Sequence, residues 1–299
     1  MSSWAITVAL SLAAVAYLIR ALRRRDAARP ARLGIALALL HLGVMFAHGA
    51  AHVGLALYAT PLEGAFILLA IYLAPLAAIG LCARRRVTAG LGLLTASLGA
   101  SFAFSVHHHF VVPSPDHVAH LHAGAWRAPF VATAAAGAIL DGVGALVACW
   151  LWSAQLRASA RDRLRAGRNV LIVDGTCVFC NQLAANVLRR DPSGLFWFAH
   201  VQSDFARAVL ARHGANPSDV DPVYLLAAAG TPEERLLVDG AAGRTLWPAL
   251  FGAAFVLRFV PLALLDVSYR LFARYRYRLF GQSPACIVPS PAERARFLS

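Results

Sequence analysis

The chain has 299 residues, 59% of them hydrophobic and only 14% charged, with a mean hydropathy of +0.60. A soluble domain carries roughly a quarter charged residues, so a wholly soluble globule does not fit this composition. The net charge of +13 comes from arginine alone, and no nucleic-acid recognition motif accompanies it, so no nucleic-acid partner is expected.

The acidic residues are unevenly spread: the first 150 positions hold only Asp26, Glu63, Asp116 and Asp141. This division implies an α-helical membrane bundle over residues 1–155, followed by a soluble α/β domain over residues 168–299. The second part is long enough to bury its own core. Five apolar stretches approach the ~20 residues of a spanning helix: Trp4–Ile19, Leu33–Ala59, Ala65–Ala83, Val87–Val106 and Pro129–Trp152. The first is short, but its arginines follow it, which fits a retained helix better than a signal peptide.

The linkers alternate in charge. Six arginines lie between Arg20 and Arg32, none between Thr60 and Gly64, three at Arg84–Arg86, one between Phe110 and Ala128, and five between Arg157 and Arg168. The positive-inside rule then puts the N-terminus outside and the C-terminal domain in the cytoplasm, in a membrane of the bacterial inner type. A reducing cytoplasm argues against a disulfide framework for the five cysteines. Cys82 and Cys149, near the cytoplasmic helix ends, read as small packing residues, with a membrane redox relay as the alternative.

Nine of the eleven histidines lie in the first 122 residues. His41, His48 and His52 share one face of the second stretch. His107, His108 and His109 end the fourth, and His117, His120 and His122 occupy the next loop. Three chemistries fit: hydrogen bonds between helices, ligation of a metal or haem with His48, His52 and His109 as ligands, and proton or quinone chemistry. Asp141, mid-way along the fifth stretch, falls in depth between His41 and His48, where it would stabilise a histidinium or orient a ligand imidazole. Neither a Cys-x-x-Cys-His nor a His-Glu-x-x-His pattern is present.

The segment VLIVDGTCVFC, Val170 to Cys180, predicts strand, turn and helix. Thr176 is positioned to cap the helix, with Cys177 and Cys180 on its first turn. The positive helix end favours a thiolate. That makes Cys177 the nucleophile and Cys180 the thiol that resolves the mixed disulfide. Such exchange needs no cofactor, and its partners are protein or small-molecule thiols and disulfides. A zinc site would need a second ligand pair from Cys286 with His200 or His213, and an inert pair is the third option.

Strands over Leu195–Val201 and Val223–Ala228, with a helix over Ser203–His213 between them, give a β-α-β-α-β order. With the dithiol opening the first helix, this is a thioredoxin-like plan. Pro222, just before the third strand, is a candidate cis-proline facing the cysteines. Leu246–Leu265 is apolar enough for a sixth span, but Arg258 and Pro261 interrupt it. Two amphipathic helices within Phe255–Gly281 are preferred, with Arg274–Arg278 suited to anionic headgroups.

The blocks VDGTCVFCNQLAANVLRRDPSGLFWFAHVQS and VPLALLDVSYRLFARYRYRLFGQSPACIVPSPAERARFL closely resemble the DCC family of thiol-disulfide oxidoreductases. The family is named for Asp-x-x-Cys-x-x-Cys, here Asp174, Cys177 and Cys180. The resemblance implies a thioredoxin-like fold over residues 168–299, disulfide exchange through Cys177 and Cys180, and a site role for Asp174. A family cysteine falls on Cys286, as a third redox thiol or a buried structural residue. The chain departs from the pattern at His200, where a proline is common, and the pattern has no proline at Pro222. Two functions are carried forward. One is a membrane-anchored thiol-disulfide oxidoreductase. The other is a metal- or haem-binding membrane protein with the C-terminal domain as accessory.

Overall fold

The computed structural model describes residues 15–17, 19–21, 23, 26–165, 167–216, 221–282 and 294–299. Most of the expected first span, Trp4–Ile19, and Cys286 lie outside the described residues. The protein is mostly helical with a mixed sheet in its C-terminal part, and it divides into two compact units, Met1–Gln155 and Leu156–Ser299.

Unit 1 contains α1 (Arg29–Gly54), α2 (Pro61–Ala83), α3 (Val87–Val111) and most of α4 (Arg127–Asp162). Among the described residues these four helices are long and apolar enough to cross a membrane. Their outer faces carry exposed apolar side chains, including Leu69, Ile139, Leu146 and Trp150. The Thr60 hydroxyl and the Glu63 carboxylate cap α2 reciprocally, and Pro61 occupies the first turn, where no amide is needed. Gly90 lets α2 and α3 approach: a Cβ there would fall 2.6 Å from Cys82 Sγ and 3.0 Å from the Ala78 carbonyl. Cys82 is thus a packing residue, whereas Cys149 is exposed on α4. Two stretches wind as π-helix, Ile67–Leu73 in α2 and His107–Val111 in α3.

Unit 2 is built on a sheet of order β4-β3-β1-β2-β5. Its strands are β1 (Arg168–Val173), β2 (Phe196–His200), β3 (Tyr224–Ala229), β4 (Arg235–Val238) and β5 (Phe297–Leu298). The intervening helices are α5 (Val178–Arg190), α6 (Asp204–Arg212), α7 (Asp239–Leu250) and α8 (Leu262–Phe280). β1 lies parallel to β2 and antiparallel to β3, and β3 turns back into β4. Covered on both faces, β1 needs the unbroken apolar run VLIV.

The strand period of two sorts its side chains. Leu171 and Val173 join Phe198, Val187 of α5 and Leu246 of α7 on one face. Val170 and Ile172 join Ala199 and Val209 and Leu210 of α6 on the other. Asp191, wholly buried after α5, accepts from the Phe196 amide at 2.8 Å and is clamped by Arg161 and Arg296.

The apolar stretch Leu246–Leu265 is not one helix. α7 ends at Leu250, a 3₁₀ turn runs Gly252–Arg258, and α8 leaves it at 111° beyond Pro261. No cis peptide bond occurs among the described residues, so Pro222 follows a trans bond and the cis-proline expectation is corrected. Pro222 simply leads into β3.

Candidate functional site

β1 delivers Asp174 to the end of the sheet, and the turn that follows decides where α5 begins. Asp174 Oδ1 accepts from the Thr176 amide at 3.0 Å and from the Thr176 hydroxyl at 2.9 Å. That local turn occupies Thr176, so the expected cap moves one residue on. Cys177 is the N-cap, with extended backbone, and its Sγ accepts from the Cys180 amide at 3.3 Å. A sulfur at this position meets unpaired N–H groups and the positive end of the helix.

Both cysteines are free thiols, with Cys177 0% and Cys180 8% exposed. The Cys177 backbone pairs with Gln282 in an isolated antiparallel bridge. Burial pushes the Cys180 thiol up, and its hydrogen bond with Cys177 adds to this.

Asp174 is 3% exposed and fully hydrogen-bonded. Gln202 Nε2 donates to Oδ1 at 2.8 Å, and Tyr277 Oη donates to Oδ2 at 2.6 Å. Burial alone would raise this carboxyl; the bonds from Tyr277, Thr176 and Gln202 outweigh it and hold the group below the usual range. The Asn181 side chain donates to the Gly175 carbonyl at 2.9 Å and closes the turn. Behind Tyr277 lies Arg276, 1% exposed, which donates to Tyr277 Oη at 2.8 Å and stands 3.9 Å from Asp174 Oδ2. Arg276 therefore faces inward and is withdrawn from the headgroup role expected of Arg274–Arg278; Arg274 and Arg278 remain exposed. Burial, then the bond to Asp174, pushes the Tyr277 phenol up to about 12.

Gln202, Arg276 and Tyr277 were not expected at the site. The only signal for Gln202 is a polar residue closing the strand run FWFAHV. α8 shows no signal at all, because its arginines and tyrosines alternate on both faces.

His200 ends β2 beside a surface groove of ≈ 410 Å³ lined by Gly175, Thr176, Gln202 and Phe297. Its Nδ1 is buried with no partner among the described residues, and burial lowers its pKa. His213 pairs with Glu234 at 3.1 Å. Among the described residues neither His200 nor His213 forms a three-ligand group with Cys177 and Cys180, and Cys286 lies outside the described residues.

The bundle gathers a different set. His41 Nδ1 lies 2.6 Å from Asp141 Oδ1, and Ser101 Oγ donates to Asp141 Oδ2 at 2.6 Å, all three fully buried. His48, His52 and His109 converge a few residues along, while His107 and His108 of the same run do not join them. His117 and His120 pack ring to ring in the following loop at 4.9 Å.

A thiol pair opening a helix at the end of a mixed sheet can shuttle between dithiol and disulfide. Sequence comparison places this pair in a family. The model of the DCC1-like thiol-disulfide oxidoreductases matches residues 171–282, and the chain belongs to that family. It is 33% identical over 132 residues to the uncharacterized protein YuxK of Bacillus subtilis (strain 168), covering 43% of this chain and 93% of that protein. It is 29% identical over 126 residues to the chloroplastic DCC family protein At1g52590 of Arabidopsis thaliana, covering 40% of this chain and 69% of that protein. No solved structure matches the chain.

Proposed function

We propose that the protein is a membrane-anchored thiol-disulfide oxidoreductase whose C-terminal domain, thioredoxin-like in its β-α-β-α-β-β-α order, exchanges disulfides through Cys177 and Cys180. The carrying observation is the Cys180 amide on Cys177 Sγ at the N-terminus of α5. The Cys177 thiolate attacks one sulfur of a protein or small-molecule disulfide. One S–S bond breaks, a thiolate leaves, and a mixed disulfide forms. Cys180 then loses its proton and attacks Cys177 Sγ, which releases the second thiolate. Two electrons have passed to the substrate, and Cys177–Cys180 is left as the disulfide. Asp174 is a positioning residue: it holds the turn and touches neither sulfur through any of its hydrogen bonds.

Membrane anchoring draws on the four long apolar helices, and the orientation on the arginines at Arg84–Arg86 and Arg157–Arg168. They favour a cytoplasmic domain, in which the pair rests as the dithiol.

The test uses the full chain in detergent with glutathione disulfide as oxidant at neutral pH. Cys177→Ser should abolish exchange. Cys180→Ser should accumulate a mixed disulfide with glutathione, seen as an adduct by intact-mass spectrometry. Wild-type protein that exchanges with neither glutathione disulfide nor a dithiol reagent would sink the proposal.

A further inference from the structure

Dithiol exchange makes no use of the histidines in the bundle. His48 and His52 stand one turn apart on α1, and His109 is turned in by the π-helical end of α3. His48 Nε2 lies 3.0 Å from His109 Nε2 and 3.2 Å from His52 Nε2, and all three atoms fall within 4.8 Å of one another. His48 is 8% and His109 3% exposed.

The partners of the opposite ring nitrogens favour one tautomer. Thr133 Oγ1 has the Pro129 carbonyl at 2.8 Å and the Phe130 carbonyl at 3.1 Å to donate to, which leaves it to accept from His48 Nδ1 at 3.0 Å. His109 Nδ1 lies 3.1 Å from the Asp116 carbonyl, which can only accept. In that arrangement each neutral ring carries its proton on Nδ1 and turns an Nε2 lone pair toward the other. Two lone pairs facing each other at 3.0 Å repel, and a cation bound by both removes the conflict.

We propose that His48, His52 and His109 are the protein ligands of one divalent d-block cation, with zinc as the reference ion. Zinc–imidazole bonds of about 2.0–2.1 Å in a tetrahedron set neighbouring nitrogens about 3.3 Å apart. The two close separations here, 3.0 and 3.2 Å, are near that edge. Donation from Nδ1 to an oxygen acceptor is the outer-sphere pattern of ligand histidines, and His48 and His109 both show it. Haem does not suit the set, because axial imidazoles on opposite faces of a haem iron stand roughly 4 Å apart with the macrocycle between them. Three imidazoles leave a fourth position, and the same histidines line a cavity of ≈ 400 Å³ whose wall also carries Glu63, Tyr72 and Asp116. The two carboxylates offset the charge of a divalent ion, and the open position takes water or a small anion. This site stands independently of the dithiol.

The experiment is titration of full-length, chelator-stripped protein in detergent with cobalt(II), read by its visible bands, and with zinc, read by metal analysis after desalting. The expected result is about one ion per chain with tetrahedral cobalt bands, and at least a tenfold loss of affinity in His48→Ala and in His109→Ala. Thr133→Val keeps every ligand and removes only the outer-sphere acceptor; it should weaken binding about 10–100-fold. It also preserves the test if an alanine variant fails to fold. Detergent melting curves of each variant serve as the folding control. The proposal is overturned by no stoichiometric uptake in the wild type. It is equally overturned by uptake unchanged in the folded variants, which would put the ion on the loop histidines, or by a co-purifying Soret band lost with His48.

Discussion

Tyr277 Oη donates to Asp174 Oδ2 at 2.6 Å and accepts from the buried Arg276 guanidinium at 2.8 Å. The two residues lie 103 positions apart, so one hydroxyl ties α8 to the loop that carries the dithiol.

Tyr277→Phe keeps the ring and deletes this tie. A hydrogen bond to a charged group contributes about 1.5–3 kcal/mol, so the variant should lose stability of that order in a denaturant titration. Exchange should slow as well, because the turn holding Cys177 is freed. Unchanged stability together with an unchanged exchange rate would show that Asp174 does not depend on Tyr277.

Acid should loosen unit 2. Burial works to raise both Asp174 and Asp191. Hydrogen bonds to Asp174, and the Phe196 amide with Arg161, Ser193 and Arg296 around Asp191, hold both below the usual range. A depressed folded value means the stabilisation is complete above the unfolded value of about 3.9 and is lost as pH falls through the folded value. Resistance to urea should therefore decline below about pH 4. Asp191→Asn should flatten that decline and cost about 3–5 kcal/mol at neutral pH, since it leaves two arginines partly unpaired. A decline of equal steepness in Asp191→Asn and Asp174→Asn would place its origin elsewhere.

In the bundle, His41 Nε2 meets the Ile71 carbonyl at 2.9 Å while Nδ1 meets Asp141. Asp141→Leu strands the His41 ring nitrogen and the Ser101 hydroxyl, at a cost of about 1–3 kcal/mol. Adding His41→Leu removes one of the stranded groups, so the double variant should melt above the single one. Strictly additive losses in detergent melting curves would mean that the pair does not act as a unit.

Much of this was legible from the residues. The helices α1 to α4 announce themselves because a stretch long and apolar enough to cross a membrane stands out in any sequence, and strand, turn and helix around Cys177 follow from VLIVDGT. Spacing on a single helix placed His48 beside His52. Other features depend on competition or on distant chain. Thr176 is a good cap by type, yet Asp174 takes its hydroxyl first, and the cap passes to Cys177. Arg276 reads as a surface charge until Tyr277 and Asp221 are found around it. Cys149 and Cys82 read alike in the sequence, but Cys82 is buried opposite Gly90 whereas Cys149 is exposed.

The π-helical turn at His107–Val111 has a consequence for inheritance. Each residue of a regular helix advances the next by about 100°, so deleting a single codon just before His109 would restore ordinary winding and swing that imidazole away from His48. All three histidines would still be present, in order and almost unmoved in any alignment. A gene could thus lose the meeting of these rings through one three-base gap, and regain it through one three-base insertion, with no substitution at any of the residues that meet.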